Sequence, residues 1–103
     1  MPQSAPPPSP LTLEMSGVSK EANGKYNRED TAHNGRAVWK HTKNNFIILW
    51  QSSQATWYVQ QDRNPVLKLC EDCPSPDKGR TQWQKAMGQT WIDTKKVKCK
   101  AVQ

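Results

Sequence analysis

Residues 34–70 read NGRAVWKHTKNNFIILWQSSQATWYVQQDRNPVLKLC, and this stretch decides the fold. It opens on Asn34-Gly35, a pair in which both residues accept positive φ and so favour a tight hairpin turn. Residues 37–42, AVWKHT, then alternate: Ala37, Trp39 and His41 share one face, Val38, Lys40 and Thr42 the other. Lys43-Asn44-Asn45 reads as a turn. Residues 46–51, FIILWQ, are apolar on both faces, which predicts a central strand covered on both sides. After a turn at 52–55, residues 56–61, TWYVQQ, set Trp57 and Val59 against Tyr58 and Gln60. A turn at 62–65, signalled by Asn64-Pro65, leads into a strand at 66–70, VLKLC. Short strands joined by tight turns make an antiparallel meander.

Working outward, Asn23-Gly24 followed by Tyr26 repeats the turn-then-strand pattern upstream. Downstream comes a loop at 71–80 holding Cys73, Pro74 and Pro76, then the ambiguous stretch TQWQKAM at 81–87. Gly88-Gln89 reads as a hairpin turn, answered by TWIDT at 90–94. The end alternates: Lys96, Lys98 and Lys100 face one way, Val97, Cys99 and Ala101 the other, as a charge-protected edge strand does. No helical period survives. The sequence therefore predicts an all-β fold, a small antiparallel meander, barrel or sandwich of about six or seven short strands, over residues 17–103. Residues 1–16 read as a disordered Pro-rich tail or linker, since Pro2, Pro6, Pro7, Pro8 and Pro10 crowd its start. Pro7 and Pro10 have the PxxP spacing that polyproline-reading domains bind, although a short proline run gives that spacing by chance.

Composition bounds the function. A chain of 103 residues is one domain, and its 34% apolar content, against roughly 45–50% in ordinary globular chains, leaves a small core. No apolar run approaches the roughly 18 residues a membrane-spanning helix needs. The formal charge of +6 and pI of about 9.4 favour anionic partners, while a merely well-solvated surface is the plainer explanation. Five Trp stand against one Phe. Trp fills small cores and also lines binding surfaces, and here the core should take at least three. Trp39 and Trp57 are expected as a pair on neighbouring strands, with Tyr58 outside. The opening MPQSAPPPSP has neither the basic nor the apolar region of a secretory signal, so an intracellular, reducing setting is the default expectation for Cys70, Cys73 and Cys99.

Three constellations bear on chemistry. Cys70-Glu71-Asp72-Cys73 is a CxxC pair, which Cys99 and a histidine, His33 or His41, could complete into a zinc site. The acidic pair between the thiols raises their pKa and argues against redox catalysis. There is no Gly-x-Ser-x-Gly elbow and no glycine-rich phosphate loop, and His41 reads as a strand residue; an enzyme is not expected. The third constellation is a basic, aromatic surface. The binding candidates are Arg36, Lys40, Tyr58, Lys96, Lys98 and Lys100. The expected function is a monomeric, non-catalytic binding module that needs no cofactor and holds a protein or glycan partner away from any membrane. Alternatives are a single-stranded nucleic-acid binder and a zinc-stabilised domain using Cys70, Cys73 and Cys99.

The succession NGKY (23–26), NGRAVW (34–39), FIILW (46–50), TWYVQ (56–60) and TQWQKAMGQTWID (81–93), closed by VKCKAV (97–102), resembles a small Trp-rich β module recurring in large protist and algal proteins. The likeness covers residues 16–101. It implies an antiparallel domain, often one module among many. Its motifs are turns and core aromatics, so it transfers no functional residue. The basic charge and the three cysteines depart from that pattern.

Overall fold

The computed structural model describes residues 10–73 and 75–102. Among them are nine strands: β1 (Thr12–Ser16), β2 (Gly24–His33), β3 (Arg36–His41), β4 (Phe46–Gln51), β5 (Thr56–Gln61), β6 (Asn64–Leu69), β7 (Trp83–Met87), β8 (Thr90–Thr94) and β9 (Lys98–Val102). All pair antiparallel in one sheet of order β8-β7-β6-β5-β4-β3-β2-β1-β9. β1 to β8 form an unbroken meander, and β9 crosses back to lie against β1 with Met15 opposite Cys99. The sheet curls into a half-barrel rather than stacking as a sandwich. Helical turns are confined to single 3-10 turns at Ser52–Gln54 and Pro76–Lys78 among the described residues.

The sheet has more strands than the expected six or seven, and one of the extra strands has a clear origin. TLEMS at 12–16, assigned above to the tail, is β1: Leu13 and Met15 alternate into the core and are fully buried. Trp39 reinforces this start by donating its indole N–H to the Pro10 carbonyl at 3.0 Å. The domain boundary therefore lies before residue 12. The rest of the tail, residues 1–9, falls outside the described residues.

The turns follow backbone chemistry more than single motifs. Asn34 (φ 54°) and Gly35 (φ 81°) form the two-residue hairpin turn as expected. At the next such turn the positive-φ residues are Asp62 (50°) and Arg63 (73°), and Asn64-Pro65 already belong to β6. Pro65 is tolerated because the β5–β6 ladder shifts register there. Asn23-Gly24 is not a hairpin turn. Asn23 closes the 17–23 loop by accepting N–H bonds from Val18 (2.9 Å) and Ser19 (3.3 Å). That loop needs Gly17: at φ 76°, a Cβ would lie 1.8 Å from the Lys96 carbonyl oxygen.

The inner face of the curl holds the core. Leu13, Tyr26, Trp39, Ile48, Trp50, Trp57, Val59, Leu67, Leu69 and Trp83 are all buried there. Trp39 and Trp57 do meet, with centroids 5.8 Å apart, but from β3 and β5, across the central strand rather than on neighbours. Trp50 adds a third ring 5.4 Å from Trp57. Buried polar tips find acceptors, as they must: Trp57 N–H binds the Cys73 carbonyl (3.0 Å) and Tyr26 O–H the Ala22 carbonyl (2.6 Å).

Candidate binding face

β4 sits in the middle of the sheet, as FIILWQ suggested, but it is not covered on both sides. Phe46, Ile48 and Trp50 point into the core, while Ile47 and Leu49 emerge half-buried on the outer face. Among the described residues no second layer lies over that face. Apolar side chains there are the first sign of a contact surface.

The strand register extends this surface across the sheet. Leu49 pairs with Tyr58, Tyr58 with Lys68, Lys68 with Gln84 and Gln84 with Asp93, which makes one transverse row from β4 to β8. Trp91 stands on the same face of β8, opposite Ala86. Its ring reaches back across two strands, to 6.3 Å from the Tyr58 ring centroid, tilted by 56°. The Lys68 ammonium lies 4.5 Å from the Trp91 centroid, in cation–π range. Tyr58 and Trp91 are both half-buried, so each keeps part of a ring exposed to solvent. The Tyr58 hydroxyl donates to Gln54, and partial burial, aided by Cys70, raises its pKa. Beyond the rings, Gln84 donates to Asp93 at 3.0 Å. A shallow depression of about 500 Å3 follows, lined by Cys70, Arg80, Thr81, Gln82, Gln84 and Asp93.

The six candidates from the sequence do not converge. Tyr58 belongs to this aromatic half. Lys40 is exposed on β3, opposite Asn27 and Ile47 on the same outer face. Lys98 and Lys100 are exposed on β9, where Lys100 lies 3.5 Å from Glu14. Lys96 is exposed in the turn before β9. The lysines make a second, basic half of the outer face, to which Lys25, opposite Glu14, also belongs. Arg36 is not a free contact residue. Its guanidinium sits 3.9 Å above the Trp50 ring, binds the Cys73 carbonyl at 2.7 Å and pairs with Asp72 at 2.8 Å. These bonds pin the 71–73 turn to the core, a structural task that sequence order alone hides.

The cysteines differ in exposure. Cys70 is exposed, whereas Cys73 is buried and Cys99 half-buried against the core. No three His, Cys, Asp or Glu side chains are grouped to hold a metal among the described residues, so the zinc set Cys70, Cys73 and Cys99 is not assembled. Burial, then the Glu71 charge, pushes the Cys73 thiol up to about 11, and burial raises Cys99 further. Neither suits a nucleophile. His41 has both ring nitrogens engaged: Nδ1 accepts from the Lys43 and Asn44 amides (3.0 Å each), and Nε2 meets the Asn23 carbonyl at 2.8 Å. Its ring packs edge-on to Tyr26, so it serves the β3–β4 turn.

Sequence reasoning missed Trp91 and Lys68, whose contact depends on a register spanning β5 to β8. The one available signal was FIILW, apolar on both faces without a second layer to cover it. No family model, no curated protein and no solved structure matches the chain.

Proposed function

We propose that the chain is a non-catalytic binding module that holds a protein or glycan partner on the outer face of β4–β8. The observation that carries this reading is the Trp91–Tyr58 pair, left half-exposed beside Lys68, Leu49 and Ile47, while the other four Trp are buried. Aromatic faces supply contact area at low entropic cost, and the Gln84–Asp93 pair and Gln54 supply directional hydrogen bonds at the rim. The resemblance drawn above implies that such a domain is often one module among many.

A second reading, single-stranded nucleic-acid binding, is favoured by one feature. The aromatic half is continuous with the outer-face lysines Lys25, Lys40, Lys98 and Lys100. A salt-stepped titration with a fluorescent single-stranded oligonucleotide, run beside a neutral glycan array, separates the two. Steep, log-linear loss of oligonucleotide affinity with salt supports the nucleic-acid reading. Glycan or protein binding that is indifferent to salt and lost in Trp91→Ala supports the first.

A further inference from the structure

The half-barrel leaves two free edges, and they are built differently. β9 is defended: Lys98 and Lys100 line it, and the 76–78 turn packs against it. β8, Thr-Trp-Ile-Asp-Thr, has no lysine, proline or bulge, and among the described residues it pairs with β7 alone. The Gly88-Gln89 turn is a two-residue loop, so Met87/Thr90, Lys85/Ile92 and Trp83/Thr94 are the hydrogen-bonded pairs of this hairpin. Trp91 and Asp93 therefore turn their backbone N–H and C=O to the open edge.

The side chains of the hairpin are as unfinished as its backbone. Met87 (49%) and Ile92 (45%) are two of the three exposed large hydrophobics among the described residues. Lys85, the partner of Ile92, borders a half-open cavity of about 440 Å3 that Ala22, Phe46 and Val66 line, so apolar surface continues inward from the hairpin. At the C-terminal end of β8 stand Lys95 and Lys96, exposed and without an ion-pair partner among the described residues.

We propose that β8 receives an extended segment of a partner protein as a tenth, antiparallel strand. The fitting segment carries β-branched apolar residues, for Ile92 and Trp91, behind an acidic N-terminal flank that lies against Lys95 and Lys96. Backbone bonds to Trp91 and Asp93 give affinity, and alternate side chains give selectivity. This site is the strand's edge rather than the outer face, and it stands or falls separately from the reading above.

The probe is the acetylated peptide Glu-Glu-Val-Thr-Val-Thr-Val, titrated into the 15N-labelled full chain. Binding slows exchange of the Trp91 and Asp93 amides and leaves the Ile92 amide, already bonded to β7, unchanged. N-methylating alternate peptide amides in one phase weakens binding by about tenfold or more, while the opposite phase binds normally. Asp93→Pro, which takes away the outward N–H and leaves the donors and acceptors toward β7 in place, abolishes binding; Asp93→Ala, which lacks the same carboxylate but keeps the N–H, and Tyr58→Ala retain it. Equal effects of the two methylation phases would overturn the proposal, as would unprotected Trp91 and Asp93 amides. So would concentration-dependent dimerisation of the peptide-free chain that Asp93→Pro prevents, because a second copy would then be the occupant.

Discussion

The two faces of this sheet come from the same strands and have opposite fates. On the inner face of β3–β5, Trp39, Ile48, Trp50, Trp57 and Val59 are sealed. One residue along, Ile47, Leu49 and Tyr58 stay half-open, although two of them are as apolar as their buried neighbours. The difference shows that apolar content on both faces of a central strand need not mean two covering layers. Here one face is completed by folding and the other keeps apolar side chains half-open among the described residues.

The largest test of the contrast is Trp57→Ala. It removes a ring packed on both Trp39 and Trp50 and takes from the Cys73 carbonyl one of its two donors, leaving Arg36 as the other. The expected loss is about 3–5 kcal/mol in chemical denaturation, a large part of a small domain's stability. Arg36→Ala comes next, because it removes one charged hydrogen bond, one ion pair and one cation–π contact at the join between the core and the 71–73 turn. About 2–3 kcal/mol is expected, with Arg36→Lys recovering only part. Leu49→Ser, on the outer face, should cost no more than about 1 kcal/mol. A loss as large as that of Trp57→Ala would mean the two faces do not differ in kind.

The smallest effect is in pH. The Glu71 carboxylate accepts N–H bonds from Arg80 (2.7 Å) and Thr81 (2.8 Å), and these hold its carboxyl below the ordinary range. Its folded pKa is depressed, so its contribution is complete above the ordinary carboxylate pKa. That contribution is lost as pH falls through the folded value. Glu71→Gln should flatten that part of the acid limb of a stability–pH profile by lowering neutral-pH stability slightly, while stability below the folded pKa stays close to that of the native chain.

Much of the fold was legible in residues 34–70. Alternation placed Trp57 and Val59 opposite Tyr58, and Asn34-Gly35 named its own turn. β1 was hidden although Leu13 and Met15 alternate correctly: five residues next to a proline run look like tail until a partner strand is known. The 62–63 turn was misplaced because Asn64-Pro65 is the stronger local signal, while Asp62 and Arg63 take positive φ under the demands of the hairpin. Of the candidate face, only Tyr58 and the outward lysines could be read from period two. Trp91 over Lys68 depends on a four-strand register, and Arg36 over Trp50 on a packing that no local pattern encodes.

The most direct test of the account is the double variant Tyr58→Ala/Trp91→Ala, measured for thermal unfolding and for binding to whichever array ligand or oligonucleotide the native chain retains. The account predicts a melting temperature only a few degrees lower, since a cost of about 1 kcal/mol shifts a domain this size by roughly 4–8 °C, together with loss of binding. A variant that unfolds outright, or that folds and still binds as the native chain does, would contradict it.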